Sequence, residues 1–184
     1  MKKRAIVILA QGCEEVEAIT PIDILRRAGI EVISAGIGGT TIKSSRGIIF
    51  NADVKIEDID FVPDVVIVPG GMPGAENISQ SEKARHLIRD AFAKGKIVAA
   101  LCASPAVVLT PLGILHGKKA TCYPGMEESF TPDIKFVDEK VVQDGNVITS
   151  KGVGTALLFA LKIVEALSGK AVADTVARAV VVMP

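Results

Sequence analysis

The sequence has no tryptophan and a single tyrosine, Tyr123, and aromatic residues make up only 4% of its 184 residues. Aliphatic side chains must therefore form most of any core. Its three cysteines are odd in number and lack a Cys-x-x-Cys spacing, which indicates neither a disulfide framework nor a metal site. The free thiols favour a reducing, cytoplasmic location. They are Cys13, Cys102 and Cys122.

The chain also lacks an excess of either charge, since 21 Lys and Arg residues balance 21 Asp and Glu residues. This balance leaves no basic patch for nucleic acid or for an anionic membrane. No apolar run is long enough to cross a bilayer, and the run after the basic start, Met1–Arg4, is too short for a secretory signal. We therefore expect a small molecule or a protein surface as the partner.

Apolar residues account for 49% of the chain, and the mean hydropathy is +0.42, as expected for parallel strands covered on both faces. The length suits a single domain over residues 1–184. Strands rich in Val and Ile alternate with helical patterns, which predicts an α/β fold with a doubly wound, mostly parallel sheet between helices. The predicted strands are Ala5–Ala10, Glu31–Ala35, Asp64–Val68, Lys96–Leu101 and Asn146–Thr149.

Helical periodicity and end signals predict four helices. They are Glu15–Ala28, Glu82–Lys94, Thr155–Leu167 and Lys170–Ala179. In the first helix the pattern points four apolar side chains toward the core, namely Val16, Ile19, Ile24 and Leu25.

Two antiparallel features are also predicted. The alternating pattern over Thr40–Asn51 indicates a short antiparallel insertion. Asp144-Gly145 stands between two apolar runs, which predicts a β-hairpin over Val141–Thr149.

The segment Ile97–Leu109 is typical of a buried strand that continues directly into a helix, with Cys102 at the junction. Open α/β sheets place their ligands at this end of the strands. A strand-to-helix elbow exposes its side chain, and the start of the following helix favours a thiolate. Cys102 is therefore a candidate nucleophile. The alternative is a small apolar core residue, which is how most free cysteines behave.

Segments after two other strands are expected at the same sheet edge. Glu14 and Glu15 are explained by their favourable interaction with a helix N-terminus, whereas Glu17 is offset from them and is expected to face the sheet edge. Burial beside a thiolate would keep Glu17 protonated, as a hydrogen-bond donor to the sulfur and a general acid or base. The N–H groups of Gly71 and Ala103 would form an anion pocket, unless Pro69-Gly70-Gly71 is only a tight turn.

Several motifs occur together along nearly the whole chain. They are Glu14-Glu15-Val16-Glu17, Val68-Pro69-Gly70-Gly71, Ala99-Ala100-Leu101-Cys102-Ala103-Ser104-Pro105 and Thr149-Ser150-Lys151-Gly152. With these motifs the chain resembles the ThiJ/PfpI family, in the branch of the parkinsonism-associated deglycase and the bacterial protein YajL.

The resemblance implies a flavodoxin-like sandwich, similar to class I glutamine amidotransferases, and a homodimer. It implies an easily oxidised Cys102 with Glu17 as its partner and an anion pocket at Gly71 and Ala103. It also places Arg27 and Arg46 near the pocket across the dimer interface.

Two positions depart from relatives of this family. Tyr123 stands where relatives carry a histidine near the cysteine, so proton transfer must rely on Glu17, Tyr123 or water. Ala103 stands where the protease-like branch has a histidine directly after the nucleophile, which argues against peptidase and amidotransferase activity.

Two functional hypotheses share this pocket, and the sequence leaves the choice open. In the first, Cys102 adds to a methylglyoxal-type aldehyde, or to its early adduct on a protein or nucleotide, with no metal or organic cofactor. In the second, peroxide oxidises Cys102 to a sulfinic acid in a redox sensor or redox-regulated chaperone. A binding protein of thiazole or thiamine metabolism is a weaker alternative, because Gly152-Val153-Gly154-Thr155 lacks a complete phosphate-binding signature.

Overall fold

The computed structural model describes residues 2–182, which form eleven β-strands and five α-helices. The strands are β1 (Arg4–Leu9), β2 (Glu31–Gly36), β3 (Thr41–Lys43), β4 (Ile49–Asn51), β5 (Val54–Lys55), β6 (Val65–Val68), β7 (Ile97–Leu101), β8 (Lys119–Ala120), β9 (Lys135–Phe136), β10 (Val141–Asp144) and β11 (Val147–Ser150). The helices are α1 (Glu15–Arg27), α2 (Gly74–Gln80), α3 (Glu82–Ala93), α4 (Ala156–Ser168) and α5 (Lys170–Ala179).

Seven of the strands form the central sheet in the order β10-β11-β7-β6-β1-β2-β5. All neighbours in this sheet are parallel except the β10–β11 hairpin. The predicted α/β fold with a mostly parallel sheet is thereby confirmed. Each predicted strand and helix lies within one residue of the observed element at both ends.

The two antiparallel predictions are also confirmed. β3 pairs antiparallel with β4 inside the predicted insertion. The β10–β11 pair closes at Asp144 and Val147, across the predicted Asp-Gly turn. The sheet therefore changes direction only at one edge, and the carboxyl ends of β1, β6 and β7 lie together in its middle.

Helices cover both faces of the sheet, which is why the central strands are apolar throughout. On one face Ile6 and Val66 belong to the same core as Ile88 of α3. On the other face Val7 packs in a core with α1, α4 and α5, which includes the fully buried Phe159. Burying a side chain of this size contributes about 2 to 3 kcal/mol.

One prediction for α1 is wrong. Val16 and Ile19 are 43% and 44% exposed, whereas Ile24 and Leu25 are buried as expected. The buried face of α1 is rotated so that Glu17 points inward. The apolar periodicity covered two sides of the helix, and only one of them packs against the sheet.

Some elements were not predicted. α2 is a short helix rich in polar residues, and β8 and β9 form a separate parallel pair of two residues each. Within residues 2–182, none of the helices has the length and apolar composition needed to cross a membrane.

Candidate active site

The site lies where β7, β6 and β1, which are adjacent in the sheet, reach their carboxyl ends. β7 ends at Leu101 and is followed by Cys102, and β6 is followed by Pro69-Gly70-Gly71. The loop after β1 leads into α1, whose first turn carries Glu17. Three segments that are distant in the sequence therefore meet at one point, as the sheet-edge rule predicts.

Cys102 has a left-handed backbone conformation, with φ at 61°. This conformation costs an L-residue roughly 1 kcal/mol or more. Two backbone hydrogen bonds hold it: the Cys102 N–H donates to the Ser150 carbonyl at 2.9 Å, and the Tyr123 N–H donates to the Cys102 carbonyl at 2.8 Å. The neighbouring segments thus fix the elbow and direct the side chain away from the sheet.

Glu17 of α1 is fully buried next to the segment that follows β6. Its N–H donates to Glu14 Oε2 at 2.7 Å, and its own Oε2 accepts from the Gly70 N–H at 2.9 Å. Among the described residues, no N–H or O–H group binds its Oε1. The Cys102 side chain lies next to this carboxyl group and interacts with it electrostatically.

Burial raises the pKa of Glu17 to about 7, although the neighbouring Cys102 side chain and the hydrogen bond from the Gly70 N–H lower it. Burial and the negative charge on Glu17 raise the pKa of Cys102 to about 12, against the lowering effect of the Gly71 and Ala103 N–H groups. A thiolate at Cys102 is therefore compatible with a protonated Glu17 and is strongly opposed by an ionised one.

This result corrects the expectation that the elbow position by itself favours the thiolate. The segment after Cys102 is not a regular α-helix: a five-residue π-helix spans Pro105–Leu109. Burial of the sulfur outweighs the two amide donors, so Cys102 is a thiol near neutral pH, and Glu17, which has the lower pKa, is the group that can accept its proton.

Two glycines bring their backbone against the reactive pair. A Cβ at Gly70 would lie 2.6 Å from Cys102 Cβ and 2.8 Å from Glu17 Oε2. A Cβ at Gly152 would lie 3.5 Å from Glu17 Oε1 and 3.8 Å from Cys102 Sγ. A close backbone approach was one of two alternatives predicted for Pro69-Gly70-Gly71, whereas the approach of Gly152 was missed, because a glycine in the sequence does not show what its backbone will contact.

A hydroxyl network holds Gly152 in place and was also missed. Thr155 Oγ1 accepts from the Gly152 N–H at 3.0 Å and lies 2.8 Å from the Gly152 carbonyl oxygen. Thr155 Oγ1 is also 2.7 Å from Ser150 Oγ. Because the Ser150 carbonyl binds the Cys102 N–H, this network connects the elbow to the backbone that faces Glu17.

A cleft of about 610 Å³ opens above Cys102. Its lining includes Arg46 and Tyr123 from the sequence predictions, together with Gly71 and Ala103. Arg27 is not part of this cleft: it pairs with Asp23 at 2.9 Å and lines a separate cavity beside α1. Residues 2–182 contain no group of three or more His, Cys, Asp or Glu side chains positioned to hold a metal.

The other two thiols are fully buried and outside the cleft. Burial raises the pKa of Cys13 to about 11 and that of Cys122 to about 12. Neither has a backbone N–H group from a different loop beside its sulfur, as Cys102 has in Gly71. The chemistry available to this cleft is thus that of one thiol, one buried carboxyl and two amides.

Comparison with known proteins agrees with this arrangement. The chain matches the DJ-1/PfpI family over residues 3–166. It is 43% identical over 185 residues to Protein dj-1beta of Drosophila melanogaster, covering 99% of this chain and 98% of that protein. It is 36% identical over 174 residues to the glutathione-independent glyoxalase DJR-1.2 of Caenorhabditis elegans, covering 91% and 90%.

The solved structures agree as well. The oxidised form of Toxoplasma gondii DJ-1 superposes with a TM-score of 0.95 and 38% identity, covering 97% of this chain and 98% of that one. The match of family, sequence and fold extends over nearly the entire chain, including the segments that carry Cys102 and Glu17. The chain therefore belongs to the DJ-1/PfpI family.

Proposed function

We propose that this protein is a cofactor-free glyoxalase of a reducing, cytoplasmic compartment, which converts methylglyoxal-type α-oxoaldehydes to hydroxy acids. Their early adducts on proteins or nucleotides are further substrates of the same class. The observation that carries the proposal is the adjacent Cys102 and Glu17 side chains, which both face Gly152 at the base of an open cleft. The relative named as a glutathione-independent glyoxalase supports it.

In the first step the Glu17 carboxylate takes the proton of the Cys102 thiol, and the sulfur attacks the aldehyde carbon. A C–S bond forms, the carbonyl electron pair moves to oxygen, and Glu17 delivers its proton to that oxygen, which gives a hemithioacetal. The Gly71 and Ala103 N–H groups, which face the sulfur, stabilise the developing negative charge. Step one therefore moves the thiol proton through Glu17 to the substrate oxygen and leaves Glu17 as a carboxylate.

In the second step the Glu17 carboxylate removes the hydrogen of the former aldehyde carbon as a proton and returns it to the neighbouring ketone carbon. The aldehyde carbon is thereby oxidised to a thioester and the ketone carbon reduced to an alcohol. Water then attacks the thioester, the C–S bond breaks, and the hydroxy acid leaves. The sum is one oxoaldehyde plus one water giving one hydroxy acid.

The test is lactate formation from methylglyoxal by the purified protein. We expect Cys102→Ser and Glu17→Gln to lower kcat/KM by at least about a hundredfold, since each removes a group that forms or breaks a bond. Cys122→Ala is the matched control, because that thiol lies outside the cleft, and it should retain activity. Full activity in Cys102→Ser would exclude the mechanism.

A second candidate function is peroxide sensing, as in a redox-regulated chaperone. A sulfinate at Cys102 would accept hydrogen bonds from a protonated Glu17 and from the two amides, so oxidation to this level is stabilised by the same groups. Mild peroxide should add oxygen at Cys102 before Cys13 or Cys122, as measured by peptide mass spectrometry. The opposite order would reject this candidate.

We further propose a homodimer that uses the exposed apolar side of α1 and the β3–β4 insertion. Ile48 and Ile49 are 55% and 66% exposed, in addition to Val16 and Ile19. The Ser45 N–H donates to the Cys13 carbonyl, which ties the insertion to the start of α1. An Ile49→Lys variant should shift sedimentation from dimer to monomer, and an unchanged sedimentation coefficient would contradict this surface.

A further inference from the structure

The mouth of the Cys102 cleft is ringed by large apolar side chains that are exposed to water. Met72, Tyr123 and Val153 all line the cleft, and they are 46%, 52% and 46% exposed. Exposed apolar groups of this size around a cavity are typical of a surface that another molecule covers. We refer to these three residues as the apolar collar.

Each member of the collar is fixed to the reactive centre through the backbone. Met72 directly follows Gly71, whose N–H group faces the Cys102 sulfur. Val153 directly follows Gly152, the glycine whose Cβ would touch both Glu17 and Cys102. Tyr123 donates its own N–H to the Cys102 carbonyl. Three separate loops thus hold the collar at a set position relative to the sulfur.

The charged side chains of the cleft come from other elements. Glu14 is the N-cap of α1, and Arg46 belongs to the loop between β3 and β4. The Glu14 carboxylate already accepts a hydrogen bond from the Glu17 N–H group. Glu17 lies at the base. The charged side chains of the lining and the collar therefore come from different segments, and the part of a bound molecule that extends from the buried base to the mouth meets the exposed collar.

We propose that the collar binds the apolar substituent of the oxoaldehyde, so that the protein prefers branched-alkyl or aryl α-oxoaldehydes to glyoxal, which has no substituent. This inference rests on the proposed glyoxalase function and specifies its substrate class. Water displaced from the three side chains and from the substituent supplies the preference. A wholly polar substituent gains nothing from the collar.

The first experiment compares kcat/KM for tert-butylglyoxal and for glyoxal. The wild-type ratio should exceed about ten, and Met72→Ala and Val153→Ala should each lower the ratio by about tenfold. Leu158→Ala is the matched control, because Leu158 is 40% exposed but lines a different cavity. A wild-type ratio near one, or an equal change in the control, overturns the proposal.

A second experiment does not require turnover. Alkylation of Cys102 by N-phenylmaleimide should be faster than by N-methylmaleimide, and both collar variants should remove most of that advantage. If methylglyoxal is turned over through Cys102 but neither collar variant changes either ratio, the collar proposal fails and the glyoxalase function stands. If nothing is turned over yet the maleimide ratio depends on the collar, the glyoxalase function fails, the collar remains an apolar binding site, and the substrate preference is overturned.

Discussion

Cys102 and Cys122 lie on segments joined by one hydrogen bond, from the Tyr123 N–H to the Cys102 carbonyl, yet their surroundings differ. Burial raises the pKa of both thiols to about 12, and a carboxylate adds to the rise in each, Glu17 for one and Glu127 for the other. Only Cys102 faces two amide donors and an open cleft. A raised thiol pKa therefore does not separate a reactive cysteine from an inert one, whereas access and preset donors do.

The largest expected effect is in the rate of thiol modification. Iodoacetamide should alkylate Cys102 in the folded protein at least about a thousandfold faster than Cys122, because Cys122 is fully buried and reacts only after local opening. Peptide mass spectrometry at several time points measures both rates. Comparable rates would mean that the two thiols do not differ as the structure indicates.

The next effect concerns stability and pH in Glu17→Gln. The pKa of Glu17 is raised from 4.5 to about 7 in the folded protein, so the unfolded chain ionises first as the pH rises. The wild type should therefore lose about 3 kcal/mol of folding stability as the pH rises through this window, and the variant should not. Urea unfolding at pH values below and above the window measures the difference.

Glu15→Gln is the control for this prediction, because hydrogen bonds to Ser44, Ser45 and the Arg46 backbone outweigh burial and lower the pKa of Glu15. An acid with a lowered folded-state pKa stabilises the protein above its unfolded pKa and loses that stabilisation as the pH falls. Glu15→Gln should thus be less stable than the wild type near neutral pH. A gain of stability at high pH in both variants would contradict the assignment of the effect to Glu17.

A smaller effect is expected from Thr155→Val. This change leaves the Gly152 N–H without its acceptor and should reduce the free energy of unfolding by about 1 to 2 kcal/mol. It should also lower the rate of Cys102 alkylation, measured as a function of pH, because the Gly152 backbone that faces Glu17 is no longer held in place. Thr155→Ser keeps the hydroxyl and should restore the profile; a profile identical to that of the wild type in Thr155→Val would show that the network does not position the pair.

The smallest effect is expected beside Cys122. Thr121 is fully buried, and its Oγ1 makes no hydrogen bond with any of residues 2–182. Thr121→Val should therefore be neutral or should stabilise the protein by up to about 1 kcal/mol, because it removes an unsatisfied polar group of similar shape. A loss of more than about 1 kcal/mol in urea unfolding would reveal a hydrogen-bond partner for this hydroxyl.

The fold was largely predictable because its signals are local. The Val- and Ile-rich strands, Gly29 and Gly95 after the helices, and the Asp144-Gly145 turn each specify an element from a few neighbouring residues. α2 escaped prediction because its sequence is short and mostly polar. Val16 and Ile19 were misplaced because periodicity identifies an apolar face but not whether that face meets the core or the solvent.

The meeting of Cys102 with Glu17 was also predicted, because the ends of parallel strands share one edge. The predicted thiolate at Cys102 was wrong, because burial raises the pKa of the thiol and burial depends on packing from all sides. The contacts of Gly70 and Gly152, and the Thr155 network, depend on distances between loops that no local pattern encodes. The sequence therefore indicates which residues meet, whereas their proton balance requires the packed structure.

Because the backbone at Cys102 is left-handed, thermal stability and thiol reactivity favour different residues at this position. Glycine adopts a φ of 61° without strain, so Cys102→Gly would relieve roughly 1 kcal/mol while deleting the nucleophile. A library screened for thermal survival alone would therefore enrich glycine at this position. Engineering a hardier form of this protein requires that thiol reactivity be selected in parallel with melting temperature.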